Sequence, residues 1–419
     1  MTNFLQDKFI EYAKYNSRSD FASHQLTPST PGQKELALKL VADMRDLGLK
    51  AYYNEKSGFA IGYLPSNTEQ EISAIGFIAH LDTADFAAEN VQPQVHPNYD
   101  GQDIILNTEK KIVLSVTEFP EVKKLKGQTL ITSDGTTLLG TDDKAGVVAA
   151  LGAAKYFLEH PEIEHGDLYL GFGPDEEIGI GAQRFDPHDF PVEFAYTLDN
   201  GQPGELQYET FNASEAILDV EGTSVHPGNA YHLLVNAGLL AQEFIARLPK
   251  DEVPEKTKDH QGFILVHSYQ ATVDHAQVKM IVRDFDHDKW RQKEQLLQAL
   301  VTEFNAKLDK PRLKLQLREQ YRNIADEIVK NPYIVNLALD AYRKVGLTPN
   351  VQPFRGGTDG NFITQKGIPA PNLFNGGGNY HGQYEYVTVE QLEILQKVIT
   401  TIVTEHLAQK DQRNNQPLK

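Results

Sequence analysis

Three apolar runs of strand length constrain the fold of this chain more than any other feature. They are ISAIGFIAH (72–80), DLYLGFG (167–173) and EFAYTLD (193–199), and a helical pattern over 143–159 lies between the first two. A near-continuous apolar run is typical of a strand that is covered on both faces, as in a parallel sheet between helices. The alternation therefore predicts an α/β domain with a mostly parallel sheet flanked by helices.

Two helix starts carry the capping-box pattern, in which a Ser or Thr is followed three residues later by Glu or Gln. Thr30 and Gln33 flank Pro31, a residue favoured at the first helical position. Thr388 and Gln391 precede a second apolar helical pattern near the C-terminus. We expect a helix to begin at each of these places. The polar segment 409–419 that follows is expected to fray.

The middle of the chain has a different order of elements. We predict strands at 214–220, 263–273, 276–285 and 312–318, and helices at 229–248 and 287–308. The order β-α-β-β-α-β is typical of a ferredoxin-like α+β unit. We therefore predict that residues 212–320 form a second domain, inserted between the two parts, 1–211 and 321–419, of the first.

Composition limits the partners and the chemistry. The formal net charge of −18 disfavours nucleic acid and anionic membranes, because phosphate groups need a basic surface. The longest apolar run, 145–154, is too short to span a membrane, and the N-terminus has no secretory pattern. We expect a cytoplasmic protein. The absence of cysteine means that any metal ion must bind to histidine and carboxylate side chains.

Histidine and acidic residues fall in five groups, of which all but the Asp142–Asp143 pair, at a loop-to-helix junction, lie at or after the ends of predicted strands, the edge where sites assemble in open α/β sheets. They are His80 and Asp82, Asp142 and Asp143, Glu176 and Glu177, Asp199, and the later His381. Taken singly, each has a structural explanation, such as a helix cap or a turn. Together, two histidines and three carboxylates suit two adjacent divalent ions that share one carboxylate. Because Glu176 and Glu177 are adjacent, one can face a metal and the other a water molecule.

The combination of AHLDTAD, LLGTDDKAG, FGPDEEIG, YTLDNG and NGGGNYHG resembles the M20 family of di-zinc exopeptidases. HPGNAYHLLVNA (226–237) and RGGTDG (355–360) add a resemblance to its tripeptide aminopeptidases. The resemblance covers about residues 1–410. It implies a hydrolase that releases the N-terminal residue from tripeptides. Other M20 activities stay open, namely a dipeptidase, a carboxypeptidase or an N-acyl amino acid deacylase, as does a non-catalytic metal-dependent binding protein.

The resemblance also implies a role for each site residue. One zinc ion would be held by His80, Asp142 and Asp199, and the other by Asp142, Glu177 and His381. Manganese or cobalt could replace zinc. Asp82 would orient His80, and Glu176 would act as general base and then general acid. In the family the peptide bond after the bridging aspartate is cis, so we predict a cis bond between Asp142 and Asp143.

The last implied residues belong to the two additional motifs. His226 either starts a helical turn or stabilises the oxyanion of the reaction. Arg355 is either a turn residue or the group that binds the C-terminal carboxylate of the tripeptide. The resemblance makes 1–211 and 321–419 the catalytic domain, and 212–320 a lid through which two copies form a homodimer. One departure is Asn200, where we expect glycine in close relatives.

Overall fold

The computed structural model describes residues 2–199 and 201–410. Asn200 and most of the segment predicted to fray lie outside the described residues. The α-helices of the described part are α1 (Thr2–Ala13), α2 (Pro31–Leu47), α3 (Thr141–Glu159), α4 (Ala237–Ala246), α5 (His287–Lys307), α6 (Ala325–Ile328), α7 (Tyr333–Lys344), α8 (Asp359–Gln365) and α9 (Val389–Ala408). None of these helices is long and apolar enough to cross a membrane.

The strands of the described part are β1 (Lys50–Tyr53), β2 (Ala60–Leu64), β3 (Ile75–His80), β4 (Gln94–His96), β5 (Ile104–Asn107), β6 (Ile112–Leu114), β7 (Leu130–Thr132), β8 (Leu168–Gly173), β9 (Phe194–Thr197), β10 (Glu205–Gln207), β11 (Asn212–Glu221), β12 (Phe263–Ala271), β13 (His275–Asp284), β14 (Leu313–Tyr321), β15 (Asn350–Val351), β16 (Asn372–Leu373) and β17 (Tyr386–Thr388). The chain divides into two compact units. The first comprises Met1–Tyr208, Ile324–Gln352 and Thr358–Lys419, and the second comprises Glu209–Asn323 and Pro353–Gly357.

The first unit is built on an eight-stranded sheet with the order β1-β2-β8-β3-β9-β16-β10-β15. Its four central strands β8, β3, β9 and β16 run parallel to one another. Every residue of β3 is buried, as expected for a strand that is covered on both faces. The predicted α/β fold with a mostly parallel sheet is therefore confirmed.

Apolar side chains cover both faces of this sheet. On one face, Phe77 and Ala79 of β3 belong to the main core, with residues of α1, α3, α7 and α9. On the other face, Ile78 belongs to a separate cluster that includes Phe59 and Phe190. Because both faces are apolar, charged side chains are left to the strand ends and the loops.

The second unit contains a four-stranded antiparallel sheet with the order β12-β13-β11-β14. The elements follow one another as β-α-β-β-α-β, which is the predicted ferredoxin-like order. Alternate residues of β11 and β13 are buried in one core with residues of α4 and α5, including Trp290. This sheet therefore has one apolar face.

The helix predicted to begin at Thr30 is present as α2, but its capping box is not formed. Thr30 is the N-cap without a side-chain capping bond, and Gln33 Oε1 accepts a hydrogen bond from the Asp175 N–H at 2.9 Å instead. The helix predicted at 229–248 begins only at Ala237, where the Asn236 side chain caps it. The capping box of Thr388 and Gln391 is formed as predicted.

Candidate metal centre

The parallel strands of the first unit bring the candidate ligands to one edge of the sheet. His80 is the last residue of β3, and Asp199 follows β9 by two residues. Glu176 and Glu177 follow β8, which pairs with β3 on the other side. Because all three strands run in the same direction, the four side chains leave the sheet at the same edge.

Five side chains form two groups of ligand atoms, and Asp142 belongs to both. The groups are His80, Asp142 and Asp199, and Asp142, Glu177 and His381; within each, the ligand atoms lie within 4.8 Å of one another. Asp142 presents Oδ1 to His80 Nε2 at 3.0 Å and Oδ2 to His381 Nε2 at 3.1 Å. One carboxylate therefore offers one oxygen to each group.

The adjacent Asp142 and Asp143 have different surroundings. Asp142 faces the two histidines, whereas Asp143 accepts hydrogen bonds from the backbone N–H of His80 and Gly146 and from the Asn375 amide, each at 3.3 Å. The peptide bond between the two aspartates is cis, which confirms the prediction. The two adjacent carboxylates therefore differ in role. Asp142 is shared by the two ligand groups, whereas Asp143 accepts hydrogen bonds from nearby N–H groups.

Asp82 connects the ends of two strands. Its carboxylate accepts hydrogen bonds from the backbone N–H of Glu176 at 3.0 Å and of Glu177 at 3.1 Å. Its carbonyl oxygen lies 3.0 Å from His80 Nδ1, and its carboxylate Oδ1 lies 3.5 Å from the same nitrogen. The sequence predicted only the contact with His80, so the support that Asp82 gives to both glutamates is an addition from the structure.

The pKa shifts reflect how strongly these charges are buried and paired. Burial opposes ionisation of Asp142, but hydrogen bonds from His381 and His80 hold its pKa below the usual range. The same pairing with Asp142 and with Glu177 raises the pKa of His381 to about 10. Burial, followed by the neighbouring Asp142 carboxylate, raises the pKa of Asp199 well above its usual range. The cluster therefore holds more buried negative charge than its own side chains neutralise.

This donor set fits two divalent ions. Imidazole nitrogens and carboxylate oxygens are ligands of first-row divalent metals, and a shared carboxylate is typical of paired ions. Glu177 Oε1 is buried and lies 3.1 Å from His381 Nε2 of the same ligand group, as expected for two atoms that would bind one ion. The two groups would hold one ion each, with Asp142 between them.

A cavity beside the ligands is lined by Glu176 together with His80, Asp199 and Asp359. Burial and then the Asp199 carboxylate raise the pKa of Glu176 well above its usual range. Glu176 belongs to neither ligand group. A carboxyl group with a raised pKa next to a metal centre is suited to accepting and donating protons.

Sequence reasoning missed two residues that support the ligands. Glu385 is buried and accepts hydrogen bonds from the backbone N–H of Leu139, Gly140 and His381, which joins the segment before Asp142 to the His381 loop. Asn372 of β16 hydrogen-bonds to both the backbone N–H and the carbonyl of Asp199. The sequence offered a signal only for Glu385, an acidic residue four positions after His381.

His226 and Arg355 lie in the second unit. His226 is exposed and accepts a hydrogen bond from the Gly228 N–H at 3.1 Å, at the start of the short 3-10 turn Pro227–Asn229. The Arg355 side chain is half-buried. Its Nη1 donates hydrogen bonds to the carbonyls of Asp259 and Gln261, and its Nη2 donates one to Thr257 Oγ1. These three acceptors are neutral, and burial lowers the pKa of Arg355.

The chain is similar to known peptidases along nearly its whole length. The family model for "Peptidase family M20/M25/M40" matches residues 132–405. A protein from Fusobacterium nucleatum subsp. nucleatum, named peptidase T, is 46% identical over 399 residues, which cover 95% of this chain and 97% of that protein.

Solved structures show the same fold. An aminopeptidase PepT from Bacillus cereus matches with a TM-score of 0.78 and 22% identity, over 97% of this chain and 99% of that one. A Bacillus subtilis protein described as a dinuclear metal-binding peptidase of the M20 family matches with a TM-score of 0.65 and 13% identity, over 97% and 98% of the two chains.

Proposed function

The chain belongs to peptidase family M20/M25/M40, and from this membership we propose that it removes the N-terminal residue from tripeptides with the help of two zinc ions. The family is the one that the motifs predicted. The observation that carries the proposal is the sharing of Asp142 between two groups of ligand atoms. The tripeptide substrate is supported by the relative named peptidase T.

The metal ligands in this proposal are the five predicted side chains. His80 and Asp199 would hold one ion, Glu177 and His381 the other, and Asp142 both. Mixed imidazole and carboxylate ligands are common for zinc, although manganese and cobalt accept the same donors. Divalent ions held in this way would lower the pKa of a water molecule and polarise the peptide carbonyl group.

The remaining steps of the reaction are carried out by side chains of the protein. Glu176 removes a proton from the attacking water and then delivers it to the leaving amine. Asp82 holds Glu176 and Glu177 in place through their backbone N–H groups. His226 donates a hydrogen bond to the oxyanion that forms at the first peptide bond, and Arg355 binds the C-terminal carboxylate of the tripeptide.

We also propose that residues 212–320 act as a lid and carry a homodimer interface. In the second unit, Tyr231, Leu233 and Leu239 are 85%, 59% and 63% exposed. Exposed apolar side chains in one segment favour a protein interface. Light scattering of the purified chain gives its mass in solution, and a mass of one chain would contradict the dimer. The cytoplasmic location stays a prediction.

The substrate is tested with four peptides: Ala-Ala, Ala-Ala-Ala, Ala-Ala-Ala-Ala and N-acetyl-Ala-Ala-Ala. Each is incubated with chelated protein and with chelated protein to which zinc is returned. We expect zinc-dependent release of the first alanine from the free tripeptide alone. Cleavage of the dipeptide or of the acetylated peptide at a similar rate would instead indicate another activity of the same family.

A further inference from the structure

Two buried carboxylate oxygens of the described residues make no hydrogen bond, Glu177 Oε1 and Asp359 Oδ2. The first is accounted for, because Glu177 Oε1 lies 3.1 Å from His381 Nε2 within one of the ligand groups. Asp359 belongs to neither group, and only 5% of its surface is exposed. A buried carboxylate oxygen without a donor is costly, so a group outside the protein is the natural candidate for its partner.

The position of Asp359 limits what that partner can be. Asp359 is the first residue of α8, and its Oδ1 accepts a hydrogen bond from the Ala182 N–H at 3.2 Å. Its side chain lines the same cavity as Glu176, His80 and Asp199. With Oδ1 held by the backbone, Oδ2 is left for a donor that enters this cavity, beside the glutamate that handles the proton.

The substrate of an aminopeptidase carries such a donor. Its α-ammonium group is two bonds from the carbonyl carbon that is attacked, so it enters the cavity together with the scissile bond. An ammonium group donates charge-assisted hydrogen bonds and neutralises a carboxylate. We propose that Asp359 binds the α-ammonium group of the tripeptide and so makes the enzyme select peptides with a free N-terminus. This inference rests on the proposed aminopeptidase function.

The test compares Asp359→Asn with the unsubstituted protein on two substrates. One is Ala-Ala-Ala, and the other is propanoyl-Ala-Ala, which has the same shape but lacks the amine. Asparagine keeps the acceptor for the Ala182 N–H and removes the negative charge. We expect kcat/KM for Ala-Ala-Ala to fall roughly 10- to 150-fold, mainly through KM, as for a lost hydrogen bond to a charged group. Turnover of propanoyl-Ala-Ala should not change.

Two measurements keep this comparison decisive. If propanoyl-Ala-Ala turns over too slowly, its inhibition constant against Ala-Ala-Ala replaces KM and should be the same in both proteins. Asp288→Asn is the matched control, because Asp288 also lies in the first turn of a helix but its side chain is 90% exposed. Asp288→Asn should leave both substrates unaffected.

Equal losses on the two substrates would overturn the inference, because Asp359 would then support Glu176 or the fold rather than the amine. Equal cleavage of the two substrates by the unsubstituted protein would overturn it as well. If the unsubstituted protein cleaved no tripeptide, the proposed function would fail, and the inference would fail with it. A loss confined to the free tripeptide would support both.

Discussion

Charged side chains are placed differently in the two sheets of this protein. All six residues of β3 in the first unit are buried, so histidine and acidic side chains collect at the strand ends. The sheet of the second unit has one outer face, where charges pair locally, as Arg318 does with Glu215 at 3.2 Å. Covering a sheet on both faces thus concentrates charge at one edge, whereas covering one face disperses it.

The largest effect is expected where charge is concentrated. Glu176→Gln keeps the shape of the side chain but cannot accept a proton. We expect kcat for Ala-Ala-Ala to fall by roughly 10²- to 10⁴-fold, the usual contribution of a general acid–base residue. Metal analysis should show the same zinc content as in the unsubstituted protein.

The adjacent Glu177 provides the matched control. Because Glu177 belongs to a ligand group, Glu177→Gln should lower the zinc content as well as the activity. Near-native turnover in Glu176→Gln, or loss of metal from it, would mean that the roles of the two glutamates are assigned wrongly.

Matched core substitutions compare the stability of the two units. Leu170 of β8 and Leu218 of β11 are both fully buried, each in the core of its own unit. Leu170→Ala and Leu218→Ala should each reduce the free energy of unfolding by about 2–5 kcal/mol, since each leaves a cavity. Hydrogen exchange should increase mainly in β3 and β8 for the first variant, and in β11 and β13 for the second. The same exchange pattern in both variants would contradict two separate cores.

A smaller effect is expected from the proposed carboxylate-binding residue of the second unit. Arg355→Lys keeps the charge but loses the planar fork that suits a carboxylate. We expect kcat/KM for Ala-Ala-Ala to fall roughly 10- to 150-fold, and cleavage of the C-terminal amide Ala-Ala-Ala-NH₂ to change little. Arg318→Lys, on the outer face of the sheet, should affect neither substrate. An equal loss on the acid and the amide would exclude a role in binding the carboxylate.

The smallest effect concerns a charged network away from the site. Asp43 accepts hydrogen bonds from Tyr12 and Lys39, both at 2.7 Å. Burial opposes ionisation, but the bond from Lys39 and then that from Tyr12 hold the pKa of Asp43 below its usual range. A lowered folded-state pKa stabilises the fold above the unfolded-state value of about 3.9, and this stability is lost as the pH falls through the folded-state value.

Asp43→Asn should therefore cost about 1 kcal/mol at pH 7 and less at pH 3, as measured by urea unfolding. Glu303→Gln in the second unit is the comparison, because Glu303 pairs with Arg247 on an exposed surface and should matter less. A difference between Asp43→Asn and the unsubstituted protein that grew toward low pH would contradict this sign.

The strand ends were predictable because local patterns determine them. An apolar run followed by a histidine or an acidic residue predicted the positions of His80, Glu177 and Asp199. The order of four predicted strands and two predicted helices indicated the ferredoxin-like unit. Gln33 shows the limit of such patterns, because its amide bonds to Asp175, which lies 142 residues away in the chain. Asp359 lies in RGGTDG (355–360), the motif in which the sequence indicated a role only for Arg355. Its unpartnered oxygen is a property of three-dimensional packing, which no local pattern encodes.

The central claim is that Asp142 is shared by two metal ions. It is tested most directly by measuring bound zinc per chain in the unsubstituted protein, Asp142→Asn and Asp199→Asn, after chelation and return of zinc. We expect two ions in the first, none held tightly in the second, and one in the third. Two tightly held ions in Asp142→Asn, or only one in the unsubstituted protein, would contradict the shared carboxylate.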